Sequence, residues 1–368
     1  MSQIKNKYDV IIVGAGPSGC SCAFELKKYN KNVLLVDKYT FPRHKPCAGG
    51  ITIKALHHLP INIDHLIKHT AKKMIFSFNE KKKVNLSHET GSCVMVIRDE
   101  FDDYFFNETL KQGVDFKKSK EISFIDYHDS TVSINIDGNV YQTSYLVGAD
   151  GANSIVRKLT SDLKFNNPVF AYEGIVKKDI DDDISTEFIF TKTGYAWVFP
   201  KDNHYNVGLG NLITNKKIKK LTKQDLFDFV KSKFKSREIK NITAFPIGTE
   251  GIGYQSINNI LLVGDAAGLA ESLLGEGIYN AILSGKYAAK SIINGKAQSD
   301  KVINDYNNFL YHLSNELKLY KKGSKILYNF PKFSYYMLKL GLGKKFMNGY
   351  SEGKTLSEIM GKSKIFTN

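Results

Sequence analysis

A β-branched run from Tyr8 to Val13 stops at a glycine, and apolar residues then recur at helical spacing from Pro17 to about Asn30. A second short run, Val33 to Val36, ends at Asp37. This order predicts strand, helix and strand, a βαβ unit at the start of the chain. In "RDEFDDYFFNETLKQG" Phe101 and Phe105 lie one turn apart, which predicts a helix from near Arg98 that Gly113 ends. Residues 114–148 alternate in short runs and read as strands and hairpins, with "IDGN" as an Asp-Gly turn.

The stretch from about 165 to 250 is strand-like at "TEFIFTKTGYAWVFP" and "YNVGLG" and holds no second glycine loop. From Asn258 to Gly295 the α/β character returns: "NILLVGDAAG" predicts a strand entering a glycine turn, and "GIYNAILSGKYAAKSIING" a small-residue helix. Two nucleotide-binding portions therefore flank an inserted sheet. Neither internal repeats nor low-complexity linkers occur.

Length and composition narrow the picture. A chain of 368 residues exceeds the roughly 250 to 300 at which a single core stops growing, so two interleaved domains are expected. No stretch approaches the ~18 apolar residues of a membrane span. The start resembles a secretion signal, but its apolar run is short and ends in glycines, which predicts a strand. Cys20, Cys22, Cys47 and Cys93 have neither metal nor disulfide-framework spacing, which points to a reducing cytoplasm. His57-His58 has no ligand companion at suitable spacing, and no metal is expected. The net charge of +15 favours anionic partners or a solvated lysine-rich surface. It is not accompanied by any recognised nucleic-acid module, and no nucleic acid is expected.

"VGAGPSGC" supplies Gly14, Gly16 and Gly19 as G-x-G-x-x-G between a predicted strand and a predicted helix. Missing side chains let a pyrophosphate approach the backbone, and the helix start offers free N–H groups. Asp37, eighteen positions after Gly19, ends the second strand where a carboxylate can hold ribose hydroxyls, with Lys38 beside it. This predicts dinucleotide binding without separating NAD from FAD. Two further segments do so: "LVGADGANSIVRK" with Asp150 and Gly151, and "LLVGDAAGLAESLLGEGIYNAI" with Gly264, Asp265, Gly275, Glu276 and Gly277.

In order and spacing these three landmarks resemble the flavoprotein superfamily that includes para-hydroxybenzoate hydroxylase, over residues 8 to about 295. The resemblance implies FAD. Asp265 would hydrogen-bond the ribityl chain, the amides near Gly277 and Ile278 would stabilise negative charge on the flavin, and Arg98 would start the helix near the cofactor. Within that superfamily "PRHKPCAGGI" and "GYAWVFPKDNHYNVGLG" resemble the geranylgeranyl reductase family. Pro42, Lys45, Cys47, Gly49 and Gly50 match one pattern; Tyr195, Trp197, Phe199 and Pro200 match the other; "GEGI" at 275–278 also suits it. Ala48 stands where many members carry glycine, and Ser272 where proline is common.

The implied architecture is α/β. A Rossmann-type FAD-binding domain of the para-hydroxybenzoate hydroxylase kind is expected over 1–75, 95–165 and 255–300. An inserted, mainly antiparallel β-sheet substrate domain is expected over 76–94 and 166–254, and a C-terminal basic helical segment over 301–368. The loop after the second strand lies at the carboxyl end of the sheet, where open α/β folds bind ligands, so Cys47 would face the flavin, with Lys45 on the cofactor and Gly49 and Gly50 against the substrate. Reduced flavin delivers a hydride to one alkene carbon, and a thiol can give the other its proton. Cys20, Cys22 and Cys93, the last placed ahead of a strand, are expected to pack. Arg43, His44 and Lys45 could hold a substrate phosphate. Tyr195, Trp197 and Phe199 share one side of a strand and would form one aromatic wall for an isoprenoid chain.

From Leu317 to Ser351 the chain carries eight lysines and no acidic residue, interleaved with aromatic and aliphatic side chains. Such a segment meets acidic lipid at the inner face of a membrane, packs as a lid, or does both. The activity expected is FAD-dependent saturation of carbon–carbon double bonds in an isoprenoid lipid, quinone or prenyl diphosphate, with NADPH, NADH or a ferredoxin as electron donor. Two rivals use the same frame: an FAD-dependent aromatic monooxygenase, and a membrane-surface flavoprotein passing electrons to a quinone.

Overall fold

The computed structural model describes residues 6–78, 82–165, 169–179, 184–191, 194–211, 221–235, 237–296 and 298–361. The last seven residues of the basic segment lie outside that set. The chain opens with β1 (Lys7–Val13), α1 (Pro17–Lys27) and β2 (Val33–Asp37). Strand β3 (Gly50–Thr52), helix α2 (Ile53–His58) and β4 (His69–Thr70) follow, then β5 (Lys73–Phe78), β6 (Lys82–Ser87) and β7 (Cys93–Met95). Cys93 thus opens its strand instead of preceding it. Helix α3 (Arg98–Lys111) leads to β8 (Asp115–Lys118), β9 (Ile122–His128), β10 (Thr131–Ile136) and β11 (Asn139–Gly148).

Strands β8, β2, β1, β11, β10 and β9 are hydrogen-bonded in that order, and β17 (Ile260–Leu262) joins on β11. Its β8, β2, β1, β11 and β17 portion is parallel, and β9–β10–β11 is an antiparallel meander. The meander turns at Asp137 and Gly138, both at positive φ, as the Asp-Gly signal predicts. Val10, Ile11, Ile12 and Val13 are all buried, because a central parallel strand is covered on both faces. Phe101 and Phe105 of α3 are fully buried against it.

After the short helix α4 (Ile155–Thr160) the chain builds a second sheet. Its strands are β12 (Val169–Lys177), β13 (Thr186–Thr191), β14 (Gly194–Pro200), β15 (His204–Asn211) and β16 (Ile239–Ile247), with α5 (Lys223–Phe234) inserted before the last. The order is β16-β12-β15-β14-β13-β5-β6, antiparallel except where β13 meets β5. Strand β7 instead pairs with β3 and β4 in a third, small sheet. One face of the second sheet packs on α5 through Leu226, Phe229 and Val230. The other face carries an aromatic cluster closed by Tyr328 and Met347. Those two residues come from the C-terminal helices: α6 (Ile278–Gly295), α7 (Ser299–Asn329), α8 (Pro331–Met337), α9 (Gly343–Ser351) and α10 (Leu356–Ile359).

Candidate active site

A cavity of about 1300 Å³ runs from the carboxyl ends of β1, β2 and β11 to the aromatic face of the second sheet. Its first end is the glycine loop. Gly14 takes φ +107°, and a Cβ there would lie 2.3 Å from the Ala149 carbonyl. Gly19 does not line the cavity; a Cβ on it would meet the Gly14 carbonyl, so it lets α1 close onto the loop. Asp37 accepts the amides of Ala15 (2.7 Å) and Tyr39 (2.9 Å) and still faces the cavity, with exposed Lys38 at the rim.

Arg43 and His44 both line the cavity, and each already has a carboxylate partner. Arg43 is paired with Asp102 at 2.9 Å and lies against Gly16, and His44 reaches Asp99 at 3.5 Å. Asp102 sits one turn along α3 from Arg98 and takes that guanidinium too, at 2.8 and 2.9 Å. A carboxylate thus binds two arginines under the nucleotide loop. The i, i+4 pairing of Arg98 and Asp102 was visible in the sequence; the second arginine, far off in the chain, was not.

These residues fit an FAD. Arg43 Nη1 and Asp150 Oδ1 are buried without a hydrogen-bond partner, and both residues line the cavity at the loop. An unpaired guanidinium N–H suits a pyrophosphate oxygen, and an unpaired carboxylate oxygen suits a hydroxyl. Asp150 otherwise accepts the Ile155 amide, and burial raises its carboxyl above the ordinary range.

Further in, Gly264 at φ +56° turns the chain after β17, and its amide donates to Ser284. This aims half-buried Asp265 into the cavity. Burial raises the Asp265 carboxyl, and Lys45 opposes that rise. Lys45 lines the same space; burial lowers its ammonium, reinforced by Arg98. Gly275, at φ +75°, and Gly277 precede Ile278 at the start of α6, whose first amides lack intrahelical acceptors and face the cavity with the positive end of the helix dipole. The turn is held by Glu271, which accepts the amides of Leu274 (2.8 Å) and Glu276 (2.9 Å). Burial pushes Glu271 up to about 7. Glu271 bears no motif and was not singled out from sequence.

Cys47 lies where the two halves of the cavity meet. Its amide donates to Glu173 Oε1 (2.9 Å), and its Sγ accepts the Gly49 amide at 3.4 Å. Gly49 is buried at φ +71° with its Cα against the Val96 carbonyl, so it shapes the loop and does not line the cavity; Gly50 does line it, beside Phe199. Lys201, almost fully buried, clamps the loop by donating to the carbonyls of Ala48 (2.8 Å) and Val96 (2.9 Å). Burial lowers Lys201 to about 8 and raises Glu173. Neither had a sequence signal: each is a lone charge on or next to a strand.

The second half is the aromatic chamber. Tyr195, Trp197 and Phe199 project to one face of β14, joined by Phe188 and Phe190 of β13 and Phe76 of β5. Neighbouring rings lie 5.2 to 6.0 Å apart. The glycines of "YNVGLG" explain how the indole fits. Gly208 pairs across from Trp197, and a Cβ there would be 2.2 Å from the ring. Trp197 Nε1 donates to Asn206 (2.7 Å), and the Tyr195 hydroxyl donates to the Leu274 carbonyl, tying the chamber to the turn before α6.

The FAD binding domain family model matches residues 7–307. An uncharacterized protein of Methanosarcina barkeri is 35% identical over 78% of this chain and 74% of its own length. The digeranylgeranylglycerophospholipid reductase of Picrophilus torridus is 30% identical over 81% of this chain and 82% of its own length. A geranylgeranyl bacteriochlorophyll reductase-like structure from Thermoplasma acidophilum has the same fold, with a TM-score of 0.71, 24% identity and coverage of 96% and 95% of the two chains. The cofactor is FAD, and the chain belongs to the geranylgeranyl reductase family of FAD-dependent oxidoreductases.

Proposed function

We propose that this protein saturates carbon–carbon double bonds of a geranylgeranyl-type isoprenoid chain. The observation that carries this reading is Cys47, held between the glycine-loop end of the cavity and a chamber walled by aromatic rings. An FAD held there, reduced by NADPH, NADH or a ferredoxin, would supply the hydride that one alkene carbon takes. The chain supplies the rest. Asp37, Arg43, Asp150, Asp265 and the amides at the start of α6 would hold the cofactor. Phe76, Phe188, Phe190, Tyr195, Trp197 and Phe199 enclose an apolar branched chain and exclude water. Cys47 Sγ gives its proton to the second carbon, and Glu173 and Lys201 keep its loop in place. The substrates inferred are an isoprenoid on a lipid, quinone or diphosphate, met with peripheral contact at the inner, acidic face of a membrane.

A Cys47→Ala variant should keep FAD and lose alkene reduction by about 100-fold or more, the usual share of a positioned proton donor. The assay incubates dithionite-reduced protein with prenyl lipids and prenyl diphosphates, with and without oxygen, and weighs the products. Gains in two-hydrogen steps without oxygen support the reading. A one-oxygen gain found only in air would replace it with a hydroxylase.

A further inference from the structure

The chamber ends at the C-terminal helices, and there the surface changes character. Six large apolar side chains, Ile326, Phe330, Phe333, Tyr336, Met337 and Leu340, are exposed within fifteen residues. The other exposed large apolar residues among those described are spread along the chain from Tyr29 to Met360, with only Ile155 and Leu159 within one helical turn of each other; a group as dense as this one marks a binding face. Leu340 is 81% exposed and Phe330 61%. The chain presents them by breaking twice: α7 ends at Asn329, capped by Phe330 ahead of Pro331, and α8 runs into a turn where Gly341 takes φ +126° before α9. Three of the six, Ile326, Phe333 and Met337, also line the cavity, so its wall here is one side chain thick.

Around this patch Lys322, Lys325, Lys332, Lys339, Lys344 and Lys345 are exposed, and none has a carboxylate partner among the described residues. A second copy of the chain seated on the same patch would bring two lysine arrays together, which like-charge repulsion disfavours. A bilayer with anionic headgroups satisfies both features at once, taking the apolar side chains below the headgroups and pairing the lysines with them. No described helix is long and apolar enough to cross a membrane, so the contact would lie in the interface.

We propose that the bend from α7 through α8 to α9 is a lipid portal. It rests on an acidic bilayer and admits a prenyl chain past Ile326, Phe333 and Met337 into the chamber without passage through water. This rests on the reductase reading for what enters, and on the surface alone for what the patch docks.

The test is cosedimentation of the full FAD-loaded chain with vesicles of phosphatidylcholine alone or mixed with phosphatidylserine, at low and high salt. Binding is expected with the acidic vesicles and should fall with salt. Phe330→Asp combined with Leu340→Asp should weaken it at least tenfold. Neither side chain lines the cavity, so FAD content and reduction of a detergent-dispersed prenyl substrate should be unchanged, while reduction of the same prenyl lipid in vesicles should fall. Lys332→Glu with Lys339→Glu should remove the preference for acidic lipid. The portal is overturned if the native chain does not pellet, or if the aspartate variant pellets equally well. It is also overturned if sedimentation velocity finds a dimer that the same variant splits, since the patch would then belong to a second copy. Vesicle binding without reduction in either medium would support the docking face and sink the reductase reading instead.

Discussion

Cys47 is held by its backbone and by buried charges, not by being packed away. Glu173 takes its amide, Gly49 gives an amide to its sulfur, and Lys201 ties down the carbonyl of the next residue. Two opposite charges behind one loop are a demanding arrangement, because each is desolvated. The lysine offers a measurable sign. It loses its proton near pH 8 in the folded protein but only near 10.5 when unfolded, so between those values the unfolded chain binds more protons and stability rises with pH. Below pH 8 the full penalty of the buried ammonium remains. Relative to Lys201→Met, the native protein should therefore gain about 3 kcal/mol from pH 8 to 10.5, at 1.36 kcal/mol per pKa unit. Urea titrations across that range check it, and a constant difference between the two proteins would mean that the ammonium is solvated. At this scale Cys47, Asp37 and Asp265 were legible from their motifs. The ion pair of Arg43 was not legible, because its partner Asp102 lies on a helix far along the chain.

Elements position the site through close approach. Helices α1 and α6 cross where Gly285 faces Ser18: a Cβ at Gly285 would lie 2.2 Å from the Ser18 carbonyl. The contact aligns the start of α1, under the glycine loop, with the start of α6, at the other end of the cofactor site. Gly285→Ala should push the helices apart and cost about 1–3 kcal/mol, as overpacking does. It should also lower the FAD retained on purification; a urea midpoint and flavin absorbance equal to those of the native protein would contradict this. The small-residue character of α6 was plain in "GIYNAILSGKYAAKSIING", and so were the helical spacing of Phe101 and Phe105 and the alternation of Tyr195, Trp197 and Phe199. Pairings between distant segments were less legible. Strand β5 runs parallel to β13 across more than a hundred residues, and β7 leaves the large sheet for β3 and β4, because short apolar runs carry no register of their own.

Over the whole molecule, the C-terminal helices close the chamber and are anchored by one buried ion pair. Lys54 of α2 meets Glu276, just before α6, at 2.8 Å and donates to the Tyr320 hydroxyl on α7 at 3.1 Å. Burial disfavours the ammonium, but Glu276 outweighs that and raises it above the ordinary lysine range. Lys54→Met would leave Glu276 without its cation and should destabilise the protein by about 3–5 kcal/mol. Earlier proteolytic cutting within α7 to α10 than in the native protein should accompany the lower melting temperature, and an unchanged digestion pattern would mean that the helices are held without the pair. The amino-acid sequence by itself determined the βαβ unit, the nucleotide loop, the cysteine motif and the amphipathic basic C-terminus. Each depends on residues within a turn or two of one another, where glycine, periodicity and turn chemistry act locally. Only the tertiary structure decided which carboxylates stand behind Cys47 and Arg43, that the C-terminal helices roof the chamber, and that their exposed apolar side chains also line it. Those are matters of distance through space and of desolvation, and neither is written in the order of neighbouring residues.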